Sequence, residues 1–436
     1  MATGLNLTIG QDAVFNSTLQ IGAVAESVSV TAEAPLVETT SGSLSGLIEA
    51  KQIQELPLNG RNITELALLE PGVNHYQGAR PGAGVNGILF SSQGAPIRSN
   101  LYLLDGTIMN DRVGGGFASA GDRSLGSEAI REFRLITNTM SAEFGMHMGS
   151  VMQAATKSGS NEFHGSLFEF LRNDNLDARQ FFDVDAPPEF KRNQLGGSLG
   201  GPIQRDKLFF FGSYEGVREI RGNTVRATTF TAAARQPGFF PIVTEIAPSV
   251  KPYLEHYPLP NAPDVGNLAA RGLGIVSRPI PDRVPENYYG IRTDYNLNDS
   301  NSLFFRYTII DGSQEEATPN AFPGFLTESK SRNQYVTGEY KSILSPTLLN
   351  TARISFSRTR SDNLDITPIP QNLWLFSGAA GMGLITVNNG PTRLGGNPPN
   401  PIGSRRNVLQ TNEDIDRKST RLNSSHIQKS RMPSSA

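Results

Sequence analysis

The sequence predicts a mainly β chain: a small α+β domain followed by an incomplete antiparallel transmembrane β-barrel. Three observations carry that prediction. From about His164 onward, apolar and polar residues alternate in strands of about ten residues, the length that crosses a bilayer at a tilt. These strands are joined in turn by very short and very long connections, an asymmetry that compact soluble domains rarely show. Upstream, short helical segments and tight glycine turns read as a separate small domain, joined to the strands across Glu128–Arg172.

Composition agrees. Gly (44) and Pro (28) are frequent among 436 residues, favouring turns and extended structure over helical bundles. A net charge of −2 gives no argument for nucleic acid as a partner. The chain has no Cys, which removes disulfides, thiol nucleophiles and Cys-type zinc sites. No run of 18 apolar residues exists, so no helix is expected to span a bilayer. The first residues lack the basic and apolar regions of a secretory leader, and the chain is expected to be a fragment whose signal peptide is missing.

Taken in order, residues 1–35 open in mid-domain. Leu5, Leu7 and Ile9 share one face, and Leu19, Ile21 and Val24 follow a short turn, as in the last strands of a sandwich. Residues 36–160 form the small domain. Glu49–Glu55 is helical and ends in Leu56, Pro57, Leu58, Asn59, Gly60, Arg61 and Asn62. Asn62 is a good N-cap with Glu65 three residues on, a capping-box spacing. Ile63, Leu66 and Ala67 make the buried stripe, and Pro71 with Gly72 stops the helix. Leu104, Asp105 and Gly106 lead a hairpin, with Asp105-Gly106 as its type I′ turn. Strands follow at Glu132–Thr137 and Val151–Thr156, about four in this domain.

Residues 161–416 carry the long strands. Ser166–Arg172 is the first, with Phe168 and Phe170 on one face and Leu167 and Glu169 on the other. Three hairpins follow, turning at QRDK, NDSN and SPT. Long excursions are expected at 173–189, 221–285, 312–331 and 363–406. Basic residues inside the strand pattern (Arg292, Arg306, Arg353) are expected to face the lumen rather than lipid. Residues 417–436 turn abruptly basic and Ser-rich. They read as adapter-derived sequence or a disordered tail, and are set aside from the fold.

The stretches VSVTAEAPLVETTSGSLSGLIEAKQIQELPLNGRN, LEPGV, YLLDGTIMND, IREFRLITNTMSAEFG and TKSGSNEFHGSLFEFLRN together resemble the TonB-dependent receptor family, in its Oar-like branch. The resemblance covers roughly 28–416 and implies a plug domain inside an outer-membrane barrel of about 22 strands, of which about eight are present. It also implies a preceding carboxypeptidase regulatory-like domain, to which residues 1–35 would belong. Glu26, Ser27, Val28, Ser29, Val30, Thr31 and Ala32 resemble the TonB box, which pairs by strand addition with a partner sheet. A terminal strand of the sandwich is the other reading of those residues. Within the plug motifs fall also Glu143, Phe144, Gly145, Thr156, Lys157, Ser158 and Gly159. Where many relatives have Arg-Gly-Pro, this chain has Leu135-Ile136-Thr137. An open barrel leaves edges that lipid cannot satisfy, so this length alone is not expected to form a working pore.

No catalytic, cofactor or metal site is expected. Met140, Met146, His147, Met148 and Met152 are soft ligands by type, but methionine in a plug core is filler. Asp174, Asp177, Asp183 and Asp185 read as a solvated loop rather than a Ca²⁺ site. The glycines of GGSLGGP relieve crowding near the plug and do not cradle a phosphate. The histidines lack any nucleophile–base spacing. The reading is therefore a transporter or receptor of the bacterial outer membrane, not an enzyme, taking up an unidentified extracellular substrate. Its implied partners are the inner-membrane TonB complex and outer-membrane lipid. An adhesion protein on the same barrel is the alternative, and a soluble β-rich enzyme fits the loop asymmetry poorly.

Overall fold

The computed structural model describes residues 44–417, apart from 57, 77–87, 112–115, 117–118, 121–124, 142, 146, 179–188, 265, 319, 380 and 397–402, together with 9 and 428–431. The sandwich-like segment of residues 1–35 lies outside this range but for residue 9.

The first sheet grows from short strands of mixed period. Strand β1 (Leu44–Glu49) runs into helix α1 (Ala50–Glu55), where the Glu49 N–H donates to Gln52 Oε1 at 3.3 Å. The stretch expected as the next helix is a 3₁₀ segment, Ile63–Leu69. Its cap is as expected: Asn62 Oδ1 accepts from the Thr64 N–H. Glu65 does not close a capping box, because its carboxylate accepts the Asn59 N–H instead. That choice winds the preceding turn tightly and leaves only about two turns of helix. Strands β2 (Val73–His75) and β3 (Phe90–Ser92) make a small ladder. Strands β4 (Leu101–Leu104), β5 (Thr107–Ile108), β6 (Ile130–Asn138) and β7 (Val151–Thr156) complete a five-stranded sheet in the order β1-β6-β7-β4-β5. Asp105 and Gly106 both take positive φ (46° and 77°), as a type I′ turn requires.

The second sheet is antiparallel and consecutive: β8 (His164–Asn173), β9 (Phe190–Gln204), β10 (Leu208–Phe230), β11 (Leu273–Asn298), β12 (Asn301–Ala317), β13 (Leu326–Ser345), β14 (Leu348–Ile366) and β15 (Ser404–Arg417). A short strand β16 (Gln428–Arg431) pairs with the end of β15, inside the stretch set aside as a tail. The sheet does not close among the described residues, matching the expected incomplete barrel of eight long strands.

Register sorts every strand into two faces. Arg292, Arg306 and Thr337 lie on one row, Arg353 lies one inward position away opposite Glu339, and all face the first domain. Ile291, Phe305, Ile354 and Leu409 face away and stay exposed, an apolar outer band of the kind lipid covers. The expected lumen-facing arginines are therefore inward. Phe211, Tyr288, Ile310 and Tyr335 of the wall are buried in one cluster with Ile63, Leu66, Phe90, Leu104 and Phe133 of the plug. Plug and wall thus share a core.

Two of the four long excursions are shorter than expected because the strands overrun the membrane, while 173–189 and 363–406 join strands close to the expected bounds. β10 extends to 23 residues and β11 to 26, absorbing both flanks of the 221–285 stretch. Likewise 312–331 is mostly strand, with a short turn at its tip. What remains packs around its own core of Tyr257, Phe322, Phe325, Ile369, Met382 and Leu394.

Candidate plug–wall gate

Two turns of the plug reach the wall, and the local sequence explains both. In Asn59-Gly60-Arg61, Gly60 and Arg61 take φ of 63° and 57°. That left-handed pair turns the Gly60 carbonyl outward and aims the Arg61 side chain along β8. Gln194 Nε2 donates to Gly60 O at 3.3 Å, and Arg192 Nη1 donates to Asn59 Oδ1 at 2.9 Å. Arg61 donates to Ser127 Oγ (2.7 Å) and Glu128 Oε1 (2.6 Å), with its guanidinium 4.0 Å from the Phe168 ring centre. Gly196 makes room for that ring: a Cβ there would lie 2.7 Å from Phe168 Cζ.

Glu128 is the hub of this corner. Its carboxylate also accepts from Gln54 Nε2 (3.1 Å) and from Ser166 Oγ of β8 (2.9 Å), with Lys157 Nζ 3.8 Å away. Burial by itself would raise the Glu128 carboxyl. The hydrogen bonds from Arg61 and Ser166, with the Lys157 and Arg61 charges, outweigh it and hold the group below the usual carboxylate range. Burial pulls the Lys157 ammonium below its ordinary value, against the opposing pull of Glu128.

The second turn is Asp105-Gly106. Asp105 accepts from the Thr156 N–H (3.0 Å) and Thr156 Oγ1 (2.8 Å), which fixes its carboxylate toward the wall. There it meets Arg306 Nη1 at 3.2 Å and Arg292 Nη1 at 3.6 Å. Arg306 is 1% exposed, so its charge depends on that partner. Arg292 is also held by Asp294, and Arg353 by Glu339, which balances three cations with three carboxylates. Gln410 Nε2 donates to Gly106 O (3.3 Å), and the Ile108 N–H donates to Gln410 Oε1 (3.2 Å). Thr107 Oγ1 and Thr337 Oγ1 lie 2.5 Å apart, and Arg406 Nη1 donates to Asp111 O (2.9 Å). Further along, Ser119 Oγ donates to Glu286 at 2.5 Å.

Comparison with known proteins fits this architecture. Residues 155–421 match the family described as outer membrane beta barrel domain, more than half of the chain. The chain belongs to this family. This outer-membrane barrel chain is also 29% identical over 266 residues to the TonB-dependent transporter Oar of Myxococcus xanthus, covering 54% of itself and 24% of that protein. Its fold is similar to the outer membrane transporter YddB from Escherichia coli, with a TM-score of 0.54 at 14% identity, over 86% of this chain and 45% of that one. A ferric enterobactin receptor from Pseudomonas aeruginosa aligns with a TM-score of 0.42 at 14% identity, over 86% of this chain and 55% of that one. The chain spans about a quarter of the curated relative's length. Its resemblance to TonB-dependent receptors of the Oar-like branch and its place in the outer membrane are thereby shown. Its relatives are transporters and receptors rather than enzymes.

The plug-motif residues divide in two. Asn59, Gly60, Arg61, Asp105, Gly106, Thr156 and Lys157 converge on the wall or on residues that touch it. Gly159 also passes close to the wall, since a Cβ there would lie 2.4 Å from Phe210 O. The others stay within the plug. Leu104 is in the shared core and Leu58 packs beside it. Asn62 caps the 3₁₀ segment, and Pro71 and Gly72 hold Gln93 through their carbonyls (3.1 and 2.8 Å). Phe144 packs on Leu101, Leu103, Ile136 and Val151, while Glu143, Gly145 and Leu56 are exposed and Ser158 is half-buried. Pro57 and residues Glu26–Ala32 lie outside the described residues. Sequence reasoning passed over Glu128, Ser166, Gln194 and Gln410. The available signal was a polar residue at an inward strand position in Ser166, Gln194 and Gln410, and an acid beside the junction in Glu128.

Proposed function

We propose that this chain forms the gate and the first part of the wall of a TonB-driven outer-membrane importer. The carrying observation is the character of the plug–wall contact. Around the shared apolar cluster, the plug is held by ion pairs and hydrogen bonds: Arg61 and Glu128 at one turn, Asp105 against Arg292 and Arg306 at the other. Water can replace each of these bonds as the plug shifts, so such a contact opens at a lower cost than a dry one. Neither plug nor wall contains an energy source, and Glu26–Ala32 would supply the strand on which TonB pulls. This arrangement supports the reading of a large extracellular substrate, admitted only when the plug moves.

An adhesion or surface-interaction role on the same barrel is the second reading. It is favoured by the outer segments, which pack around their own core instead of splaying.

The absence of Cys makes one test clean. In a Thr107→Cys variant, the only thiol sits at the sealed Thr107–Thr337 contact. Maleimide labelling of intact cells should be slow without TonB and should rise severalfold in energised cells that carry it. Deleting residues 26–32 should abolish the rise. Labelling indifferent to TonB would defeat the importer reading and leave the adhesion role.

A further inference from the structure

On the outward face of the wall, register sets three arginines in one row. Arg332 of β13 is paired with Arg360 of β14, and Arg360 with Arg405 of β15. Arg358 lies one outward position below. Like charges directly opposite on neighbouring strands repel and destabilise a sheet. Two are partly answered: Asp311 pairs with Arg332 at 2.5 Å, and Asp362 with Arg360 at 2.5 Å. Among the described residues, Arg358 and Arg405 have no acidic partner, and both side chains are exposed.

The height of the row says what surrounds it. Arg360 lies thirteen residues beyond the short turn at Pro346-Thr347, roughly 43 Å along the strand and roughly 33 Å along the barrel axis at a tilt of about 40°, just past an apolar band about 25 Å tall. Below it the same face carries Phe356 and Ile354, 38% and 56% exposed, with Val336 alongside. The arginines therefore sit where the apolar band ends, at the level of the outer-leaflet headgroups. A guanidinium row above an acyl-chain surface suits a phosphorylated amphiphile: planar forks take phosphate oxygens bidentately, and the band takes the chains.

We propose that Arg332, Arg358, Arg360 and Arg405 form a binding site for the phosphorylated glycolipid of the outer leaflet. Its phosphates supply the anions this row lacks, and so hold β13, β14 and β15 together at their outer ends. The site is independent of what the pore carries.

The test uses the protein extracted from outer membranes in mild detergent and titrated with bis-phosphorylated lipid A, dephosphorylated lipid A, phosphatidylglycerol and inorganic phosphate, with binding read by native mass spectrometry. Bis-phosphorylated lipid A should bind at least about tenfold more tightly than each of the other three. The triple variant R358Q/R360Q/R405Q should lose about fivefold in affinity for each charge removed. If the variant does not reach the membrane, the comparison of lipids on the unaltered protein decides. Equal binding of the dephosphorylated form would overturn the proposal, as would equal binding of phosphatidylglycerol. So would binding of free phosphate as tight as that of the glycolipid, or a triple variant of undiminished affinity.

Discussion

At the scale of single residues, Glu128 shows how one buried carboxylate joins a plug to a wall. It gathers Arg61, Gln54 and Lys157 from the plug and Ser166 from the first wall strand. Because its folded value lies below the usual one, it stabilises the fold fully above the ordinary carboxyl value of about 4.3, and that stability is lost as pH falls through the depressed value. The expectation is that Glu128→Gln removes this acid sensitivity while costing about 3 kcal/mol at neutral pH, since it strands Arg61. Hydrogen exchange of residues 56–62 against pH would report both effects. An acid profile identical to that of the unaltered protein would refute the assignment. Little of this hub was legible in the chain, because Glu128 contacts Gln54, Arg61 and Ser166 across tens of residues that no spacing rule connects. Asp105-Gly106 was legible, since a two-residue turn of that composition has few other conformations.

At the scale of elements, alternation settled which strands exist and which residues share a face, while their ends stayed obscure. Arg221–Phe230 and Leu273–Pro285 lack strict apolar alternation, being polar or rich in proline, and so read as loop. They are strand because Arg221–Phe230 pairs residue for residue with Leu273–Asp282, and Arg283–Pro285 with Arg218–Ile220. Three of the prolines lie in β11, which pairs with β12 only intermittently above Glu286, where a missing N–H costs less. The 3₁₀ segment at Ile63–Leu69 was misread in a similar way: the stripe was right, but Glu65 answers Asn59. The outer segments depend on Phe322, 2% exposed and edge-on to Tyr257 at 5.0 Å. Phe322→Ala should cost about 3–5 kcal/mol of local stability. Limited proteolysis should then cut 231–272 and 367–396 much faster while sparing the wall, and unchanged cutting would show that these segments do not stand on that core.

At the scale of the whole molecule, the wall has opposite faces with opposite solvents. Outward rows across the middle of the wall are apolar and exposed, and inward rows carry polar residues around a few apolar ones that share the plug's core. Ile354→Arg should therefore cost about 2–4 kcal/mol, the figure for a cation at mid-bilayer on the lipid face. Urea titration in lipid vesicles would measure it, and a loss under about 1 kcal/mol would place that face in water. The same arrangement answers the inward arginines: Arg292, Arg306 and Arg353 each meet a carboxylate, and Arg406 meets plug carbonyls.

The sequence by itself determined the mainly β class, the eight long strands, their faces and the membrane that such faces imply. Those properties follow from a period of two and from local turn chemistry, both read over a few residues. Tertiary structure alone decided where the strands end, that Glu65 serves Asn59, and that Glu128 and Asp105 are among the contacts between plug and wall. Each of those outcomes is a competition for hydrogen bonds or charge among groups far apart in the chain. Only the folded arrangement brings the competitors together.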